Sequence, residues 1–200
     1  MTLVLQTQNV ILRDWRYEDL LLYEEWLQPG QRWQESDGPY EPSLTPVEID
    51  EQIARISTVI ESGDPPTPRR RLVISLTDGG EAADRMIGTV SADWEQQASQ
   101  SINLGISIFD PAYWRQGIGY CALGLWTQYL FDELPALVRL GLRTWSGNVG
   151  MVRLAQKLGF QEEMRLRQAR IVNDTYFDAV GYGVLRTEWL ARYPRGFGVE

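Results

Sequence analysis

Histidine is absent from this 200-residue sequence, and cysteine occurs once, at Cys121. The absence of histidine excludes a Ser-His-Asp triad, a histidine general base and most zinc sites. A single cysteine cannot form an intrachain disulfide, which fits a reducing, cytoplasmic location. No segment approaches the roughly 18 apolar residues of a membrane-spanning helix, and the N-terminus lacks a basic region followed by an apolar run. We therefore expect neither export nor membrane insertion, and we expect no metal site.

Positive charge is also in deficit, since 19 Lys and Arg residues face 27 Asp and Glu residues and the net charge is −8. This balance disfavours nucleic acid and anionic membranes as partners and favours a cationic substrate, although solubility alone accounts for such a charge. The hydrophobic fraction of 44% is enough for a sizeable core. Length and composition predict one domain over residues 1–200, with a core over about 3–185 and a surface extension over 186–200.

Hydrophobic periodicity predicts an order of strands and helices along the chain. Thr45-Pro46 is a typical helix start, and the apolar stripe from Ile49 to Ile60 follows it. Asp78-Gly79-Gly80 indicates a turn. The predicted strands are 3–15 (one strand or a hairpin), 71–76, 86–94, 102–109, 138–145, 160–168 and 175–185, and the predicted helices are 19–27, 46–60, 120–131 and one that ends near 158.

The run from Asp110 to Tyr120 joins an apolar strand to a helix start. The first N–H groups of a helix lack intrahelical partners, and the helix dipole adds partial positive charge at the same place. Gly117 and Gly119 carry no Cβ, so a ligand can approach the main chain, and Arg115 adds a formal charge. The run therefore predicts an anion site, although a Gly-x-Gly turn alone also fits an ordinary strand–helix junction.

Two motifs in order make the pattern more specific. The first reads Trp114-Arg115-Gln116-Gly117-Ile118-Gly119 after Asp110-Pro111, and the second has Asn148 followed by Lys157-Leu158-Gly159-Phe160. With the order of elements, these motifs resemble the GNAT family of acetyl-CoA-dependent N-acetyltransferases over roughly residues 3–185. The Asp-Pro-x-Tyr-Trp run is most similar to the branch that includes ribosomal-protein N-terminal acetyltransferases.

The resemblance implies an α+β sandwich built on a mixed, mostly antiparallel, twisted sheet of about seven strands, with helices on both faces. It implies that the fourth and fifth strands splay around acetyl-CoA as co-substrate. Exposed strand edges in such folds often pair, so a homodimer is also considered. The residues that the resemblance assigns to the cofactor are Ile108 and Phe109 (main chain), Arg115, Gln116, Gly117, Ile118, Gly119, Tyr120 and Asn148.

The resemblance further implies direct transfer of the acetyl group to a primary amine of a small molecule or of a protein or peptide N-terminus. The amine must lose a proton, and without histidine the base is a carboxylate, a tyrosine or water. Glu95 and Asp93, at the end of the third strand, are candidates, although solvated strand-end charges fit as well. Ala155 stands where many members have the tyrosine that protonates the departing thiolate. Ser146 is therefore the candidate general acid here, with helix capping as the alternative.

The acceptor pocket of such folds is formed partly by the loop between the first two helices, here 28–46. Trp33 and Tyr40 in this loop, with its carboxylates, suit a cationic acceptor. Both rings equally fit a role as anchors of a long loop. Trp94 is a further acceptor candidate at a position typical of core aromatics. A non-catalytic acyl-CoA-binding sensor stays open as the alternative function, because no strong base or acid is evident.

Overall fold

The computed structural model describes residues 3–7, 9–77 and 84–198, so the predicted turn at 78–80 lies outside the described residues. One eight-stranded sheet with the order β1-β2-β3-β4-β5-β6-β8-β7 forms the centre of the fold. The strands are β1 (Val4–Gln6), β2 (Val10–Arg13), β3 (Arg71–Leu76), β4 (Gly88–Gln96), β5 (Ser101–Ile108), β6 (Arg139–Trp145), β7 (Gln161–Val172) and β8 (Thr175–Leu185). The α-helices are α1 (Tyr17–Leu27), α2 (Pro46–Ser62), α3 (Ile118–Glu133), α4 (Val149–Leu158) and α5 (Arg186–Arg192).

The predicted mixed, mostly antiparallel sheet is confirmed, but it has eight strands instead of about seven. The difference arises because the segment predicted as one strand or a hairpin is the antiparallel pair β1–β2. Helix α2 begins where the sequence predicts, because the Thr45 hydroxyl accepts the Glu48 N–H (3.3 Å) and the Glu48 carboxylate accepts the Thr45 N–H (2.8 Å).

The sheet contains one parallel pair, β5–β6, and its pairing is short. Ser101, Ile102 and Asn103 pair with Arg139, Leu140 and Gly141, and the register then ends. Strand β5 nevertheless continues to Ile108 and β6 continues to Trp145. The two strands therefore splay toward their C-terminal ends, which is the opening that the resemblance implies.

Alternation along the strands divides the core between the two faces of the sheet. Leu72 and Ile74 of β3 pack in the larger cluster with α3, whereas Val73 packs with α1 and α2. On β4, Val90 and Ala92 likewise enter the α3 cluster, so Thr89 and Ser91 face the α1–α2 side. One face of the strands is therefore a fully apolar core, and the other carries polar groups beneath α1 and α2.

The C-terminal segment is not the surface extension that its proline and glycines predict. Trp189 of α5 is 0% exposed and Phe197 is 7% exposed, and both belong to the α3 cluster. The Phe197 ring lies against Gly124, where an added Cβ would stand 2.1 Å from a ring carbon. A glycine within α3 thus admits an aromatic ring from a segment 73 residues later, a long-range contact that local patterning does not reveal.

No helix in the described ranges is long and apolar enough to cross a membrane. Within the same ranges, no three His, Cys, Asp or Glu side chains are grouped as metal ligands.

The contact between Gly124 and Phe197 is testable by a double-mutant cycle. We expect Gly124→Ala to lower the free energy of unfolding by about 2 kcal/mol, because the methyl group overpacks the ring. In a Phe197→Ala background the same change should stabilise the protein by up to about 1 kcal/mol, since alanine is the better helix former. Urea unfolding measures both, and equal effects in the two backgrounds would show that the tail does not pack there.

Candidate active site at the β5–β6 opening

The N-terminus of α3 lies open to solvent beside the splayed strands. Arg115, Gln116 and Gly117 are exposed. Gly117 has a φ of +82° and caps the helix by accepting the Cys121 N–H (3.1 Å). A Cβ built on Gly117 meets no atom within 4 Å, so the space next to the first helical N–H groups is free of protein. This bend has the accessibility and the dipole that an anion site requires.

Asp110 does not take part in this bend. Its carboxylate accepts the Ala112 N–H (2.9 Å) and caps the short 3₁₀ helix Pro111–Tyr113. The capping role keeps the carboxylate's negative charge on the turn that precedes the α3 bend.

The C-terminal half of β5 presents part of its main chain to the opening. Phe109 donates its N–H to Ile87 (2.9 Å) on the β4 side. Because successive residues of a strand point their main-chain groups to opposite sides, those of Ile106 and Ile108 face the side from which β6 has diverged. The Ile108 carbonyl already accepts the Trp114 Nε1–H (2.9 Å). Of the two predicted main-chain positions, only Ile108 therefore faces the opening, and Ile106 joins it.

A cavity of about 630 Å³ adjoins β5 on the α1–α2 side of the sheet. Its floor is the polar face of the sheet, with Thr89 and Ser91 from β4 and Ser107 from β5. Its walls come from α1, α2 and the loop between them, residues 28–45, called here the α1–α2 loop. Strand β5 therefore borders both features: its side chains line the cavity, and its main-chain edge faces the β5–β6 opening.

Asp37 of the α1–α2 loop lies over β5 at the edge of this cavity. The Ser107 hydroxyl donates a hydrogen bond to its carboxylate (3.3 Å). The side chain is exposed to solvent at the cavity, and partial desolvation by the protein around it still raises the pKa of Asp37 above the ordinary aspartate value. The hydrogen bond from Ser107 opposes that rise without cancelling it. Asp37 is thus a carboxylate of increased basicity close to the β5 main chain.

The α1–α2 loop crosses the β5–β6 opening and is hydrogen-bonded to the end of β6 and the start of α4. The Ser36 carbonyl accepts hydrogen bonds from Trp145 Nε1 and from Asn148 Nδ2, each at 3.0 Å. Asn148 also caps α4, because its Oδ1 accepts the Met151 N–H (3.0 Å). The side chain of Asn148, predicted to contact the cofactor, therefore positions the loop and the helix start.

Glu95 and Asp93 lie at the closed end of the splay. Glu95 forms ion pairs with Arg143 and with Arg139 (3.5 Å) and accepts the Ser101 hydroxyl (3.0 Å). The Ser101 hydrogen bond and the two arginines lower the pKa of Glu95. Asp93 pairs across the ladder with Asn103, where β5 is still joined to β6. Both carboxylates are thus placed away from the opening, as strand-end charges.

Ser146 follows β6 and is tied to β8. Its hydroxyl oxygen accepts the Asp178 N–H (3.0 Å), and its own N–H is donated to the Asp178 carbonyl (2.9 Å). The capping role that was its alternative belongs to Asn148. Ser146 therefore joins the end of β6 to the neighbouring strand.

The three predicted acceptor aromatics lie in three different places. Trp33 lines the cavity, donates its Nε1–H to the Trp26 carbonyl (2.8 Å) and packs edge-on against Phe109 (5.0 Å between centroids). Tyr40 packs edge-on against Trp145 outside the cavity lining. The prediction that Trp94 contacts the acceptor is wrong. Trp94 lies on the α3 face of the sheet, opposite the cavity.

Sequence reasoning did not single out the polar floor or Arg71, which also lines the cavity. The alternation of Thr89 and Ser91 with Val90 and Ala92 carries a signal for the floor, because it marks one polar face of a strand. No comparable signal exists for Arg71, whose neighbours in space are set by sheet pairing.

Comparison with known proteins agrees with this architecture. Residues 9–161 match the family described as "Acetyltransferase (GNAT) domain". A curated relative, "Uncharacterized N-acetyltransferase YoaA" of Bacillus subtilis (strain 168), is 31% identical over 101 residues, which are 50% of this chain and 56% of the relative. The chain therefore spans about half the length of the curated relative that it matches.

Several solved structures share the fold. An acetyltransferase (GNAT family) from Bacillus anthracis has a TM-score of 0.69 at 16% identity, covering 93% of this chain and 100% of that one. Spermidine N-acetyltransferase from Vibrio cholerae, solved with CoA and spermine, has 0.70 at 20%, covering 90% and 98%. Ribosomal-protein-S5-alanine acetyltransferase from Vibrio fischeri has 0.68 at 16%, covering 94% and 98%. At these identities the likeness shows the fold alone.

The two roles of Asn148 can be separated by substitution. We expect Asn148→Ala to lower the free energy of unfolding by about 1 kcal/mol through the lost cap. Asn148→Asp keeps an acceptor for the Met151 N–H, so it should keep most of that stability while losing the donor to Ser36. Hydrogen exchange of the α1–α2 loop should quicken in both variants. Unchanged loop exchange in Asn148→Asp would show that this hydrogen bond does not hold the loop.

Proposed function

This chain belongs to the GNAT acetyltransferase family, and from that premise we propose that it transfers the acetyl group of acetyl-CoA to a primary amine. The acceptor is a small molecule or the N-terminus of a peptide or protein. The Asp110–Tyr120 run supports the branch similar to ribosomal-protein N-terminal acetyltransferases, and one structural neighbour carries that name. Another neighbour is named for spermidine, so polyamines belong among the acceptors to be tested.

The observation that carries the proposal is the position of the open α3 N-terminus at the mouth of the β5–β6 splay. Phosphates suit such an amide cluster because the N–H groups point outward and the dipole favours negative charge. We assign the diphosphate of the co-substrate to this bend, with Arg115 as a nearby cation. The assigned main-chain amides are those of Gln116, Gly117, Ile118, Gly119 and Tyr120.

The unpaired edge of β5 suits the rest of the co-substrate. Main-chain groups of Ile106 and Ile108 face the opening, where an amide-containing chain can add to the edge as a strand would. Acetyl-CoA supplies an activated acetyl group when it is bound there. A β5 N–H then donates to the carbonyl oxygen as negative charge develops on it, a contribution typically worth about 3 kcal/mol for one such donor.

Asp37 is the proposed base for the acceptor amine. It lies over β5 through Ser107, and its raised pKa makes it a better proton acceptor than an ordinary carboxylate. As the N–C bond forms and the C–S bond breaks, the amine proton passes to Asp37 and the departing thiolate takes a proton from solvent. Glu95 is less suited, because its ion pairs lower its pKa and it lies at the closed end of the splay.

Release of free thiol from acetyl-CoA in the presence of an amine panel tests the function. The panel contains aminoglycosides, polyamines, amino acids and peptides, and we expect turnover with at least one class. Binding of acetyl-CoA without turnover on any class would favour the non-catalytic sensor.

The anion site predicts a difference between two glycines in the same backbone conformation. Gly117 (φ +82°) and Gly63 (φ +62°) both have space for a Cβ. Valine at either position should cost about 1–2 kcal/mol of stability through left-handed strain. Only Gly117→Val should weaken acetyl-CoA binding, by about tenfold or more in a calorimetric titration, since its side chain blocks approach to the amides. Equal affinities for the two variants would contradict the assignment of the bend.

The proposed base predicts a change in pH dependence. Only ionised Asp37 accepts a proton, so activity should rise as pH increases through its raised pKa. Asp37→Asn should lower kcat/KM by about 10² or more and remove that acidic limb. Glu95→Gln, the comparison variant, should keep it. If the limb survives in Asp37→Asn or disappears in Glu95→Gln, the base is not Asp37.

A further inference from the structure

The cavity above β4 and β5 is lined by charges of both signs that come from different elements of the fold. Its carboxylates come from the α1–α2 loop, at Glu35, Asp37 and Glu41. Its positive charge comes from Arg71, on β3. Within the described residues, no ion pair joins Arg71 to these carboxylates.

Sheet pairing fixes the position of Arg71 relative to β5. Arg71 pairs with Ser91 across β3–β4, and Ser91 pairs with Gly105 across β4–β5. These three residues form one row, so the Cα atoms of Arg71 and Gly105 are about 10 Å apart, which is two strand spacings. Ser107, which binds Asp37, lies two residues farther along β5.

Arg71 lacks a carboxylate partner among the residues that the structure describes. Arg71 donates a long hydrogen bond (3.5 Å) to the Tyr23 hydroxyl, and that hydroxyl donates to Gln52 (3.2 Å). The two most buried arginines that form ion pairs are held by short contacts, Arg13 with Asp19 and Arg69 with Asp14, both at 2.7 Å. The guanidinium in the cavity wall is thus available for an external anion.

The cavity floor is formed by small residues, most of which carry hydroxyl groups. Thr89, Ser91 and Ser107 present hydroxyl groups there. At Gly105 an added Cβ would lie 2.5 Å from the Ser91 hydroxyl oxygen, so no larger side chain fits in the row between Arg71 and β5. An extended molecule can therefore lie across the floor without meeting a bulky residue.

We propose that the acceptor carries an oxyanion as well as its amine, and that Arg71 binds this anion while the amine lies beside Asp37 and β5. The inference rests on the proposed function and specifies its substrate class. A guanidinium recognises carboxylate or phosphate through two parallel hydrogen bonds. The separation of the walls selects acceptors whose amine and anion are several atoms apart. Arg71 also disfavours polycations at that end, which revises the expectation of a cationic acceptor.

The test compares acceptors that differ in one terminal group. For the wild-type protein we expect kcat/KM for 6-aminohexanoate to exceed that for hexylamine by about tenfold, and spermidine to be no better than hexylamine. The amine 5-aminopentyl phosphate replaces the carboxylate by phosphate, and preference for either anion over hexylamine supports the proposal. No advantage of either anionic acceptor would overturn it.

Substitution of Arg71 assigns the effect to this side chain. Arg71→Gln should abolish the advantage by raising KM for the anionic acceptor, with little change for hexylamine, and Arg71→Lys should restore part of it. Arg55→Gln removes the same charge from an exposed position of α2 outside the cavity and should leave the preference intact. An advantage that survives in Arg71→Gln would contradict the proposal.

Failure of catalysis is distinguishable from failure of this inference. If no amine is acetylated, calorimetric titration of 6-aminohexanoate into the wild-type and Arg71→Gln proteins decides the matter. Binding that weakens about tenfold in the variant supports the anion subsite even without turnover. Equal or absent binding in both proteins overturns it.

Discussion

The short pairing between β5 and β6 is the constraint on which the rest of the site depends. After Asn103 and Gly141 the two strands part, and the main chain of β5 keeps hydrogen-bonding groups without a neighbouring strand. Backbone groups away from bulk water require partners, so an unpaired inner edge favours a ligand that supplies its own amides. Helix α3 begins at the mouth of the same opening and adds unpaired N–H groups there. The end of the β5–β6 pairing thus places an unpaired strand edge beside the N-terminus of α3, where an anion is proposed to bind.

The α1–α2 loop connects this opening to the cavity on the other face. Its attachments are short-range contacts to three different elements, through Trp145 on β6, Asn148 at the start of α4 and Ser107 on β5. Because these contacts lie on both sides of the β5–β6 opening, they fix the position of Asp37 and the cavity rim relative to the β5 main chain. The loop therefore couples the side where an acetyl donor is proposed to bind with the side where an amine is proposed to enter.

The sequence was informative where local chemistry decides the structure. The strand-to-helix bend at Gly117 and the start of α2 at Thr45 each depend on residues within a few positions, and each was located correctly. Long-range packing was less accessible. The burial of Phe197 depends on Gly124 in another helix, and the face on which Trp94 lies depends on strand register, where one residue reverses the direction of a side chain.

The roles of the site residues likewise depend on long-range contacts that the local sequence does not reveal. Glu95 is a strand-end carboxylate whose partners, Arg139 and Arg143, come from a strand that the chain reaches more than 40 residues later. Asp37 and Arg71 gain their significance only from the sheet row and the loop that place them around one cavity. Composition indicated an excess of acid and hence a cationic acceptor, but it could not show that Arg71 lines the same cavity as Glu35, Asp37 and Glu41.

The central claim is that main-chain N–H groups at the Gln116–Tyr120 bend hold the diphosphate of acetyl-CoA. Amide chemical shifts recorded during a titration with acetyl-CoA test it most directly. The account predicts that the largest changes fall on the amides of residues 116–120, with further changes along residues 106–108 of β5. Saturable binding that leaves the amides of residues 116–120 unshifted would contradict it.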